Sequence, residues 1–107
     1  MFRRCLVIFV ALSEAAERGE LLLVPGGMCR FHCRKDGTIT IREILVLPGC
    51  RKHGIGRGLI RQIVATHPGV LLRARCPTGY EANHFWARLG FELAEEKVGV
   101  NLWVYRA

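Results

Sequence analysis

The sequence predicts an α+β sandwich on one mixed sheet, mostly antiparallel, with one parallel strand–helix–strand crossover and helices on both faces. Three observations carry this. At 107 residues the chain holds a single domain, because two cores would each be too small to be stable. Half of its residues are hydrophobic, enough for a buried interior and too many for disorder. Strand-like stretches separated by glycine turns run from Glu20 to Leu47, and helical spacing takes over after Pro48-Gly49.

Taken in order, the first segment has two readings. Leu6, Phe9, Val10 and Leu12 suit a helix continuing through Arg18, whereas Val7, Ile8 and Val10 suit a strand ending near Val10. Helix is preferred, with Gly19 as its stop. Arg3-Arg4 ahead of Cys5–Leu12 resembles a short signal peptide. That apolar run falls far short of the roughly 20 residues needed to span a bilayer, so a buried structural element is favoured.

Three strands are expected next. Glu20 to Val24 closes at Pro25-Gly26-Gly27, and Met28 to Lys35 alternates around Cys29, Phe31 and Cys33. Asp36-Gly37 is a hairpin signal leading into Thr38 to Leu47. Alternation slips near Glu43-Ile44, as a bulge would make it. A helix follows, with Ile55, Leu59, Ile60, Ile63 and Val64 on one face and Arg57, Arg61 and Gln62 on the other. His67-Pro68-Gly69 breaks it, and Val70 to Arg75 forms a strand ended by Pro77. Thr78 to Glu81 has the spacing of a capping box ahead of Ala82, Phe85, Trp86 and Leu89, with Gly90 as the stop. Phe91 to Lys97 and Val100 to Tyr105 close the chain as a strand pair around Gly99. The unit from Thr38 to Arg75 is expected to be a right-handed parallel crossover.

Sixteen basic residues against 9 acidic ones give a formal charge of +7 and a pI near 9.7, which implies an anionic partner. A nucleotide cofactor, nucleic acid and a membrane surface all fit that charge. The densest basic group is Arg51, Lys52, Arg57 and Arg61. Five cysteines without paired spacing argue against a disulfide framework and for a reducing, cytoplasmic setting. A metal site from Cys29, His32 and Cys33 is disfavoured, because His32 would point away from both cysteines on a strand.

The densest basic group surrounds Gly54-Ile55-Gly56, where a strand has ended and a helix begins. Glycines there let backbone N–H groups turn toward an anion, and the helix terminus adds partial positive charge. No Gly-Lys-Ser/Thr follows, and no Gly-x-Gly-x-x-Gly with a downstream acidic residue is present, so neither a P-loop nor a dinucleotide fingerprint is built here.

With its flanks, this loop resembles the GNAT superfamily of N-acetyltransferases. Arg51-Lys52-His53-Gly54-Ile55-Gly56 matches the family's pyrophosphate motif, and Ile44 to Pro48 resembles the preceding strand end. Ala82-Asn83-His84-Phe85-Trp86-Ala87-Arg88-Leu89-Gly90-Phe91 is similar to a second family segment. The resemblance covers Glu20 to Tyr105 and implies direct transfer of an acetyl group from acetyl-CoA, as co-substrate, to an amine.

On that resemblance the backbone of Leu45, Val46 and Leu47 would hold the pantetheine arm where two strands splay apart. Arg51, Lys52, His53, Gly54, Ile55, Gly56, Arg57 and Gly58 would hold the pyrophosphate, and Asn83 and Trp86 would reach the cofactor from the last helix. Trp86 stands where the family often has a tyrosine that protonates the departing thiolate, and an indole cannot serve as that acid. Tyr80, Tyr105 or water would replace it, unless no acid is needed.

Glu43 is the one carboxylate inside the strand leading to the loop and is the candidate base; its other reading is a surface partner of Arg42 or Arg30. His32, His53 and His84 rank below it. The N-terminal region is shorter than the family's, which allows a shallow acceptor site or a homodimer. The alternative is a non-catalytic basic protein of the same fold binding nucleic acid or another anion, supported by the charge and by Arg73 and Arg75 on one strand face. The acceptor amine is not legible in the sequence.

Overall fold

The computed structural model describes residues 2–106, and side chains within the first helix from Val7 onward. Helix α1 spans Phe2–Glu17, and three strands follow: β1 Leu21–Val24, β2 Gly27–Cys33 and β3 Ile39–Val46. A 3₁₀ turn over Pro48–Cys50 leads to α2, Ile55–Thr66, then β4, Leu71–Pro77, and α3, Ala82–Arg88. The chain closes with β5, Glu92–Lys97, and β6, Val100–Arg106. The expected order of elements holds throughout.

The six strands form one sheet in the order β1-β2-β3-β4-β6-β5, and only the β3–β4 pair is parallel. Turn chemistry sets the β2–β3 hairpin: Gly37 takes a φ of 87°, and the Asp36 carboxylate accepts from the Thr38 N–H at 2.9 Å and hydroxyl at 2.7 Å. The expected bulge lies one residue earlier than the pattern slip. Arg30 faces Glu43 and Phe31 faces Ile41, so Arg42 is the extra residue.

Alternation gives the sheet two unlike faces. Cys29, Phe31, Ile39, Ile41, Leu72, Ala74 and Cys76 are buried against Leu59, Ile60 and Ile63 of α2 and Trp86 of α3. Each fully buried leucine or isoleucine among them contributes about 1.5–3 kcal/mol. The opposite face carries Arg30, His32, Thr40, Arg73 and Arg75, and α1 packs there mainly over β1 and β2.

Two expectations are corrected. The N-terminal segment is a helix, but its described apolar residues are not buried: Val7, Ile8 and Phe9 are more than half exposed, and Ala15 is the buried residue among those of α1 that are described. The capping box of Thr78 and Glu81 does not form either, because Glu81 is itself helical and makes no side-chain cap.

Candidate active site at the strand fork and the α2 N-terminus

β3 and β4 pair only over Ile39–Ile41 and Leu72–Ala74. Beyond that point β3 runs on to Val46 and β4 to Pro77 without pairing, so the two strands fork. The bulge at Arg42 helps, because an unmatched residue bends its strand. Along the open edge lie Glu43 to Val46. The Leu47 N–H is not available there, since it donates to the Gly26 carbonyl at 2.8 Å, and the Leu47 carbonyl accepts from Cys50.

The loop beyond the fork turns sharply twice. Lys52 has a φ of 67°, the one non-glycine residue with positive φ among the described residues, and Gly54 has a φ of 77°. Holding a lysine in that region costs about 1–2 kcal/mol, a strain that clusters at functional sites. Gly54 is the N-cap residue of α2, and no side chain caps that end among the described residues. The first turn of α2 therefore presents free N–H groups beside Arg51, Lys52 and His53, all exposed. The Arg51 Nε donates to the Val46 carbonyl at 3.3 Å, which ties the loop to the fork. Arg57 donates to the Arg88 carbonyl at 3.4 Å, at the C-terminal end of α3.

The glycines here have different reasons. A Cβ on Gly54 or Gly58 would meet nothing within 4 Å, so only Gly54's positive φ demands glycine. A Cβ on Gly56 would stand 2.8 Å from Phe85 Cε1, so Gly56 is glycine because α2 and α3 approach closely there.

A strand fork beside an uncapped, basic helix N-terminus is the arrangement on which the family comparison bears. The family model of the acetyltransferase (GNAT) domain matches residues 5–93. The chain belongs to the GNAT family. Among curated proteins, none matches it. Among solved structures, it resembles a GNAT-family acetyltransferase from Desulfovibrio desulfuricans at 23% identity and TM-score 0.62, covering 77% of this chain and 60% of that one. The anti-CRISPR protein AcrVA5 matches at 20% identity and TM-score 0.64, over 79% of this chain and 95% of that one. Arabidopsis thaliana Naa50, in complex with the bisubstrate analogue CoA-Ac-MVNAL, matches at 19% identity and TM-score 0.57, over 76% and 65%. At these identities the likeness is one of fold. This GNAT domain spans less than two thirds of the Desulfovibrio and Naa50 chains and nearly all of AcrVA5.

Several residues singled out for the site are placed elsewhere by the GNAT fold. Asn83 is saturated inside the protein: its Nδ2 donates to the carbonyls of Pro77 at 3.0 Å and Tyr80 at 2.8 Å. Its Oδ1 accepts from Trp103 Nε1 at 2.9 Å and Asn101 Nδ2 at 3.2 Å. An amide offers two donors and one carbonyl, so nothing is left for a cofactor. Trp86 is buried at 5% exposure, edge-on to Phe85 and Phe91 with ring centroids 5.0 Å from each, and is a core residue. Tyr105 pairs with Leu72 at the closed end of the β3–β4 pair and packs on Phe91, away from the fork. Tyr80 lies beyond the forked end of β4 and is 62% exposed.

Glu43 stands on the bulged strand, ion-paired with Arg30 across the β2–β3 ladder. Of its two expected partners, Arg30 is therefore the one it meets. His32 pairs with Glu20 at 3.2 Å. Glu20 itself was not singled out in the sequence. Its carboxylate is buried and accepts from Arg18 Nε at 2.8 Å and from the Cys33 N–H at 2.7 Å. Burial alone would raise its pKa, but bonds from Arg18, Cys33 and His32 outweigh burial and hold it below the usual glutamate value. Cys29 lies on the opposite face from His32, and burial pushes its thiol up to about 12, so it is an inert core residue.

Proposed function

We propose that this protein is an acetyl-CoA-dependent N-acetyltransferase. The carrying observation is the β3–β4 fork leading to the uncapped N-terminus of α2, with Lys52 and Gly54 both at positive φ and Arg51 tied to the Val46 carbonyl. The first-turn N–H groups, with Arg51 and Lys52, hold the pyrophosphate of acetyl-CoA. The open edge at Leu45 and Val46 takes the pantetheine arm. Support for CoA also comes from Naa50, a fold neighbour described with a CoA-bearing bisubstrate analogue.

Acetyl-CoA, as co-substrate, supplies an activated acetyl group. In direct transfer the acceptor nitrogen bonds to the acetyl carbon, the carbon–sulfur bond breaks, and the thiolate leaves. The proton lost by the amine goes to Glu43, directly or through water, and the thiolate takes its proton from Tyr80 or water. Glu43 enters this step paired with Arg30, so deprotonation requires that pair to loosen as the amine arrives.

Calorimetric titration tests the reading. Acetyl-CoA should bind, and Arg51→Ala and Gly54→Val should each weaken binding about tenfold or more, the first by removing a charge and the second by abolishing the positive φ. No heat at about 1 mM acetyl-CoA would overturn it. Glu43→Gln should depress turnover at neutral pH with acetyl-CoA affinity nearly intact; unchanged turnover rejects Glu43 as the base.

A further inference from the structure

On the face opposite α2 and α3, α1 packs mainly over β1 and β2, and β3 and β4 present Thr40, Arg42, Arg73 and Arg75. There, Arg34, Thr40, Arg42, Arg73, Arg75 and Leu102 line a hollow of about 120 Å³. Four guanidinium groups thus surround one concavity with no carboxylate among the lining residues. Asp36 lies beside the hollow, 3.9 Å from Arg34. Bonds from Thr38 lower its pKa, and Arg34 and Arg73 both help to lower it, so one carboxylate partly offsets four guanidinium groups. Arg42, Arg73 and Arg75 make no ion pair or side-chain hydrogen bond among the described residues. One hollow over, Arg18 and Arg30 are both paired with glutamates.

Like charges held together destabilise a fold unless an anion meets them. This set also has a position. Ile41 and Ala74 are the last paired residues of β3 and β4, so Arg42 and Arg75 are the first residues past the fork on each strand. The other side of the sheet is filled by the buried side chains of α2 and α3. An acceptor that reaches the fork from the face opposite α2 and α3 therefore passes the arginines.

We propose that this hollow binds carboxylates adjoining the acceptor amine, so that the acceptor is an acidic polypeptide segment. This rests on the acetyl-transfer reading above. Guanidinium forks pair bidentately with carboxylates, and arginine loses less than lysine by leaving water. A nucleic acid fits less well. No aromatic ring lies among the lining residues to stack a base, and the concavity admits a side-chain anion but not a duplex.

Fluorescence anisotropy with two labelled peptides tests this. One carries a single lysine flanked by glutamates, and the other is identical but has glutamines in their place. The glutamate peptide should bind wild type, and Arg73→Gln/Arg75→Gln should weaken it about tenfold or more. Arg42→Gln, in a separate protein, should weaken it in the same direction. The glutamine peptide should bind neither wild type nor variants measurably. Acetyl-CoA titration of the same variants should match wild type, which shows that they are folded.

Equal binding of the two peptides, or indifference to both arginine variants, would overturn the proposal. So would an oligothymidylate that binds more tightly than the glutamate peptide with the same arginine dependence, which would make this a nucleic-acid surface. Peptide binding that needs the arginines in a protein without acetyl-CoA affinity would support the carboxylate site and reject the transferase reading.

Discussion

Gly56→Ala offers a sharp test of how α2 meets α3. The new methyl carbon would stand 2.8 Å from Phe85 Cε1 and 3.0 Å from Cζ, so the ring must move. Phe85 is edge-on to Trp86 at 5.0 Å, which leaves the ring little room to turn. Overpacking of this kind costs about 1–3 kcal/mol. Against it, alanine in a helix interior gains about 0.5–1 kcal/mol over glycine. The net is a loss of about 1 kcal/mol, or a fall in Tm of about 4–8 °C for a domain of this size. In a Phe85→Leu background the clash is gone and only the helix term remains, so the same substitution should stabilise by about 0.5–1 kcal/mol. Gly58→Ala, which meets nothing within 4 Å, should stabilise wild type by a similar amount. Urea unfolding monitored by circular dichroism measures each of these proteins. If Gly56→Ala is as costly in the Phe85→Leu background as in wild type, Gly56 is glycine for some reason other than this approach.

Glu20→Gln should destabilise the fold by roughly 2 kcal/mol near neutral pH, because a buried carboxylate with three partners is replaced by a group that cannot accept as strongly. Since Glu20's folded pKa is lowered, its contribution is complete above the unfolded value of about 4.5 and disappears as pH falls through the folded one. Wild type and Glu20→Gln should thus converge in Tm on acidification below pH 4.5, and parallel Tm curves would refute that account. Asn83→Ala should cost about 2 kcal/mol, because Trp103 Nε1 and Asn101 Nδ2 lose their acceptor and the Pro77 and Tyr80 carbonyls each keep only a backbone donor. Its acetyl-CoA affinity should change much less than that of Arg51→Ala, and an equal loss measured by calorimetry would return Asn83 to the cofactor site.

The element order was legible because it is written in local signals. Asp36-Gly37 demands a turn, and the apolar spacing from Ile55 to Val64 demands a helix. The pattern slip at Glu43-Ile44 marks a bulge wherever the partner strand lies. The helix-or-strand ambiguity of Phe2 to Val10 resolved to helix, but the exposure of Val7, Ile8 and Phe9 could not be foreseen, because periodicity does not say whether a partner face exists. The loop at Arg51 to Gly56 was singled out by its glycines, its charge and its place between a strand and a helix, but the positive φ of Lys52 carries no residue signature.

Side-chain roles were less legible, because they depend on which distant strands come into register. Asn83 is spent on Pro77 and Tyr80, close to it in the chain, and on Asn101 and Trp103, which lie on the far strand of the β4–β6 ladder. Tyr105 lost its candidacy because that ladder sets it beside Leu72 at the closed end of the fork. Sequence alone thus determined the order of elements, since turn chemistry and hydrophobic period act over a few residues. The tertiary structure alone decided which polar groups are consumed by the fold and which arginines lie near the fork without an ion-pair partner among the described residues, since burial and pairing are properties of contacts between residues far apart in the chain.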